Sequence, residues 1–185
     1  MSFSGSPRLV HAALVAVSPT TGAPLRRVAF QYNPDQLTRT LQIEGDPQRA
    51  GLPPPETLRV ELELDATDIL EKSGPPEAID AQLAALEALI GPSNAQLTGA
   101  RALAARGTLE ILAPDPPNLL FVFGGRSVPV KITEYSVVEE AFDPALRPIR
   151  AKVTLGMRVN SEGDAFLTHH RAREQLSRRA GRTTR

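Results

Sequence analysis

Residues 58–65, Leu-Arg-Val-Glu-Leu-Glu-Leu-Asp, alternate strictly between apolar and charged. Successive side chains of an extended chain point to opposite faces, so Leu58, Val60, Leu62 and Leu64 share one side and Arg59, Glu61, Glu63 and Asp65 the other. A helix would scatter those leucines around its circumference. The pattern predicts a half-buried antiparallel strand that is dry on one face. Residues 9–17 form an apolar run with β-branched members, followed by dense turn chemistry at 18–24 and a second predicted strand at 25–32. Asn33-Pro34-Asp35 stops that strand, because Pro34 has no N–H to donate and pushes Asn33 out of the helical region. Residues 37–44 alternate again and predict a third strand, and residues 45–55, with four prolines and two glycines, predict an exposed loop.

The period changes at 75–89. Ile79, Leu83, Leu86, Leu89 and Ile90 fall at helical spacing, Pro76 suits a first turn, and Gly91-Pro92 end the pattern. A helix of about 14 residues, ~21 Å long, follows. The Ala-rich stretch 94–106 fits either a shorter helix or an ordered loop. Further strands are predicted at 108–112, 119–123, 127–132, 135–139 and 149–159, with Gly124-Gly125 as a tight hairpin between two of them. Residues 162–179 predict a terminal helix whose Arg171, Arg173, Arg178 and Arg179 complement its negative carboxyl end, and 181–185 should fray. The layout is mainly β: an antiparallel sandwich or small barrel of about eight strands over 1–160, with one central helix, then a basic helical tail over 161–185.

Composition narrows the function. A chain of 185 residues is ordinarily one domain, and the lack of cysteine rules out disulfides and thiolate metal sites. The net charge is zero but polarised: residues 147–185 carry ten Lys and Arg against three acids, the remainder eleven against eighteen. Such polarity favours stacked, head-to-tail neighbours. No apolar run approaches the ~20 residues of a membrane span, so no direct membrane insertion is expected. Residues 9–17 make a poor signal segment, with one preceding Arg and His11 interrupting it, and cytoplasmic residence is the expectation.

No catalytic constellation emerges. Glu61, Glu63 and Asp65 lie on the wet face of a strand with no nucleophile or histidine placed beside them. His169 and His170 diverge by about 100° on a helix and make a poor bidentate metal site. Gly124-Gly125 lacks the residues of a phosphate loop. The Arg-rich end lacks interleaved aromatics, so nucleic acid is not an expected partner. Neither enzyme activity nor a cofactor or metal is expected. Phe30 with Tyr32, and Phe121 with Phe123, share strand faces and are simplest as core.

Several segments together resemble one family. Phe30-Gln31-Tyr32-Asn33-Pro34 followed by Leu37 is similar to the opening motif of contractile injection system tube-like proteins. Pro117-x-Leu119-x-Phe121-x-Phe123-Gly124 resembles that family's P-x-x-x-F-x-W/F-G strand, with Phe123 where relatives often carry Trp. Val130-x-Ile132-x-x-Tyr135-x-Val137, Phe142-Asp143 and Pro148-Ile149-Arg150-Ala151-x-Val153 resemble its closing strands. The resemblance spans roughly 9–160. It implies a baseplate hub or tube initiator of a phage-tail-like particle, with the tail-tube fold: two antiparallel sheets wrapped as a barrel-like sandwich with a helix at the side. Six copies would form a ring between spike and inner tube, with the tube, spike and other baseplate proteins as partners, assembled in the bacterial cytoplasm. Many relatives continue into a LysM domain for which this chain has no room, so glycan binding is not carried over. A tail-end tube cap and a monomeric β-sandwich binding module are the alternatives. The charged face of Arg59, Glu61, Glu63 and Asp65 is expected to meet a lumen or a neighbouring subunit.

Overall fold

The computed structural model describes residues 10–43, 53–67, 78–91, 94–107, 118–161 and 163–183. The strands are β1 (Ala13–Val17), β2 (Pro24–Ala29), β3 (Leu37–Leu41), β4 (Glu56–Asp65), β5 (Asn118–Phe123), β6 (Arg126–Phe142) and β7 (Pro148–Val159). The helices are α1 (Ala78–Glu87), α2 (Asn94–Ala105) and α3 (Asp164–Thr183). The seven strands make one antiparallel sheet in the order β2-β1-β5-β6-β7-β4-β3.

The chain is therefore mainly β, but the described residues hold one open sheet where a two-sheet sandwich or closed barrel was expected; of their three helices, the central and the terminal one were expected, and the third decides a stretch that the sequence left open. The Ala-rich stretch is helical. The segments expected as strands 127–132 and 135–139 are a single strand, β6, with a register shift between Ile132 and Glu134 that breaks the alternation on which the division rested. The strand expected at 108–112, the proline-rich loop up to Leu52 and the first turn at Pro76 lie outside the described residues.

The leucines of β4 are buried as the alternation requires, together with Leu14 of β1, Phe121 of β5, Val130 of β6 and Val153, Leu155 and Met157 of β7. Helix α1 lays Ile79 and Leu83, with Leu86 and the following Leu89, into this core against β4 and β7. Each such side chain removed from water contributes on the order of 1.5–3 kcal/mol. Phe121 sits between Phe30 and Phe123, at ring-centroid distances of 6.3 and 5.9 Å. The β5–β6 hairpin turns on Gly124, whose φ of +60° is costly for any residue with a Cβ. Asp143 organises the β6–β7 turn by accepting from the Arg147 and Ala145 N–H groups and the Arg147 guanidinium, which hold its carboxyl below the usual range.

One glycine matters to the outer face. Gly156 of β7 pairs with Arg59 on one side and Glu134 on the other. A Cβ at this position would lie 2.8 Å from the Glu134 Cβ. The missing side chain leaves a passage through which Arg59 and Glu134 join across β7 at 2.6 Å.

Candidate functional site

Residues 30–36 connect β2 to β3, strands at opposite ends of the sheet order. The Phe30 N–H donates to the Ala12 carbonyl, continuing the β1–β2 pairing. Asn33 then clamps the approach to β1: its Oδ1 accepts from the Ala12 N–H at 2.7 Å and its Nδ2 donates to the Val10 carbonyl at 2.9 Å. Gln31, two residues away, does the same for the end of β4. Its Nε2 donates to the Asp65 carbonyl at 2.6 Å and its Oε1 accepts from the Asp65 N–H at 3.0 Å. Side chains two residues apart thus touch the strands next to the two edges of the sheet, β1 and β4, so the sheet curls, and amide side chains tie these places where no strand ladder does.

Between this connection and β4 lies a groove of about 660 Å³, lined by residues 31–36 with Thr38 on one side and by Arg59–Glu63 with Lys152 on the other. Its charge is uneven. Arg59 is paired with Glu134, and Lys152 with Glu140 at 3.2 Å. Asp35, Glu61 and Glu63 have no ion pair among the described residues. Asp65 follows on β4 beyond the groove lining: hydrogen bonds from Thr67, and then the Arg150 guanidinium at 3.0 Å, hold its carboxyl below the ordinary range.

A smaller cleft of about 340 Å³ lies at the other end of β3, between α3, Leu41, Pro53 and Val159. Glu56 is held there by Arg39 and, at 3.4 Å, by Arg173. His169 faces the same cleft with its Nε2 buried and without a hydrogen-bond partner among the described residues, and burial lowers its pKa.

Tyr32, Asn33 and Pro34 meet Arg59, Glu61 and Glu63 in the groove, although the two sets are nearly thirty residues apart in sequence. Phe30 and Phe121 are core, as expected, whereas Tyr32 is 45% exposed rather than buried beside Phe30, because the strand it was assigned to ends at Ala29. Phe123 is half-buried under the Arg126 guanidinium, 5.4 Å from its ring centroid, and Phe142 is exposed. Gly124 is the hairpin, buried Pro148 opens β7, and Arg150 pairs with Asp65. Arg171 and Arg173 lie mid-helix, not in a last turn, since α3 runs on to Thr183; Arg173 is committed to Glu56 and Arg178 to Glu174. His169 is half-buried and its neighbour His170 exposed.

Gln31, Asp35 and Lys152 were not anticipated in the site. Gln31 left one sign, a polar residue between two aromatics. Among the described residues no cluster of three or more His, Cys, Asp or Glu could hold a metal ion, and no helix is long and apolar enough to cross a membrane. No family model and no curated protein matches this chain.

Proposed function

We propose that this chain is a ring-forming structural component of a phage-tail-like contractile injection particle, joining the spike and baseplate to the inner tube, with its curled sheet a variant of the tail-tube fold. The observation that carries the reading is how the motif at 30–34 is used. Phe30 enters the core, while Gln31 and Asn33 spend all four of their amide hydrogen-bonding groups tying β4 and β1 together. A motif given over to shaping a sheet suits building material rather than a reaction centre.

Among the described residues, strands β2 and β3 each pair on one side only, and β2 is mostly exposed. Unpaired edges invite association, and a ring that closes on itself uses them up. An obligate interface of this kind buries on the order of 2,000 Å² or more. Exposed Arg171, Arg178 and Arg179 on α3 supply a basic end for an acidic neighbour along the axis.

Electron microscopy and mass measurement of the purified protein, alone and with a tail-tube protein from the same genome, test the reading. Six-fold rings, or capture at one end of the tube, are the expected result. A monomer that joins no tube at any concentration overturns it. A density at the distal end of the tube reassigns the chain as a cap, which the same scaffold would serve.

A further inference from the structure

The edge of β4 that faces the groove is incomplete. Along a strand, main-chain N–H and C=O groups alternate between its two sides. Asp65 turns both of its groups to Gln31, and the Pro55 carbonyl accepts from Gln42 on the β3 side, whereas Ala66 donates to Ile149 on the β7 side. Odd-numbered residues of β4 therefore address the β3 side. The ladder with β3 ends at the pair Leu37 and Val60. Beyond it the chain 31–36 swings away and opens the groove. The N–H and C=O groups of Glu61 and Glu63 consequently point into the groove, and among the described residues no hydrogen bond reaches them from the opposite wall.

Gln31 shows what this edge accepts. Its carboxamide gives Asp65 the donor and acceptor that a strand neighbour would give, one step further along the same side. Two such steps remain open. Glu61–Leu64 spans ~13 Å of strand, enough for three or four residues of a second chain.

We propose that this stretch of β4 is a docking edge for an extended, basic segment of a partner polypeptide, which adds antiparallel to β4 in line with β3. The register decides the chemistry. Residues exchanging both hydrogen bonds with Glu61 and Glu63 stand two apart, with Cβ atoms about 5.5 Å from those of the glutamates and on the same face. Lys or Arg at those two positions meets two carboxylates that have no ion pair of their own. The nearby cations Arg59 and Lys152 are held by Glu134 and Glu140. Main-chain bonds supply affinity that is indifferent to sequence, and the alternate basic side chains supply selection. The inference does not depend on the ring: a monomer could carry this edge, and a ring could form without it.

Acetyl-Gly-Arg-Val-Arg-Val-Gly-amide, added to the full-length protein, provides the test. Hydrogen exchange at the Glu61 and Glu63 amides should be fast in the free protein and slow at least tenfold on saturation. The same peptide N-methylated at both arginines keeps its charge but loses its donors, and should bind at least tenfold more weakly. E61K/E63K, which changes only exposed side chains, should weaken the unmodified peptide by a similar factor. Equal binding of the methylated peptide, equal binding by E61K/E63K, unchanged amide exchange, or no saturation at millimolar peptide each overturn the proposal. Protection of both amides in the protein alone, rising with its concentration, assigns the edge to a second copy and overturns it as well.

Discussion

The two recesses at the ends of β3 treat charge in opposite ways. Under α3, Glu56 is gripped by Arg39 and Arg173, and the cleft is neutralised from within. In the groove, Glu61 and Glu63 stand without a described ion pair. One strand supplies all three glutamates. What differs is the neighbour. Strand β3 covers β4 as far as Val60 and then leaves it. A carboxylate beside a completed ladder is enclosed and compensated, whereas one beside an unfinished ladder stays open to whatever completes it.

The largest expected effect removes the wall that makes the groove. Phe30→Ala deletes a buried ring against Phe121 and should cost about 3–5 kcal/mol, measured by urea unfolding. A cost under about 1 kcal/mol would show that residues 31–36 stand without this anchor. Asn33→Ala strips the Ala12 N–H and the Val10 carbonyl of their partners and should cost about 1–3 kcal/mol. Amide exchange at Ala12 should quicken, while exchange under α3 stays as it was.

A third pair of variants puts the contrast between the recesses directly. Glu56→Gln loses both cationic partners and should cost about 1 kcal/mol, discounted for partial solvent screening. Combined Glu61→Gln and Glu63→Gln should change stability by no more than about 0.5 kcal/mol in either direction. Equal effects at the two places would erase the distinction.

The smallest effect depends on pH. Burial holds the His169 imidazolium below its ordinary pKa near 6.5, outweighing the pull of Glu56. The unfolded chain then binds the proton more readily, so stability is intact above about pH 6.5 and falls as pH drops through the lowered folded value. Relative to His169→Gln, the wild type should lose thermal stability between pH 7.5 and 5. Parallel curves would mean that the ring is freely solvated.

How far the sequence disclosed all this depended on range. Strand β4 was legible because period-two alternation is local, and α1 because its apolar residues keep helical spacing. β6 was read as two strands because its register shift after Ile132 interrupts that same local signal. The single continuous sheet was not legible, since the pairing of β1 with β5 and of β4 with β7 joins residues roughly a hundred positions apart. The groove was half legible. Its acidic face and the Tyr32-Asn33-Pro34 wall were each noticed, but no local pattern says that they face one another, or that Gln31 imitates a strand.

Gly156 leaves a last consequence. By vacating one place in the middle of the outer face, it lets Arg59 reach two strands away to Glu134, and so withholds that guanidinium from the glutamates nearer to it. A single methyl group added there would act at a distance. With Glu134 pushed aside, Arg59 would be released toward the groove rim, and a surface that attracts cations would begin to supply its own.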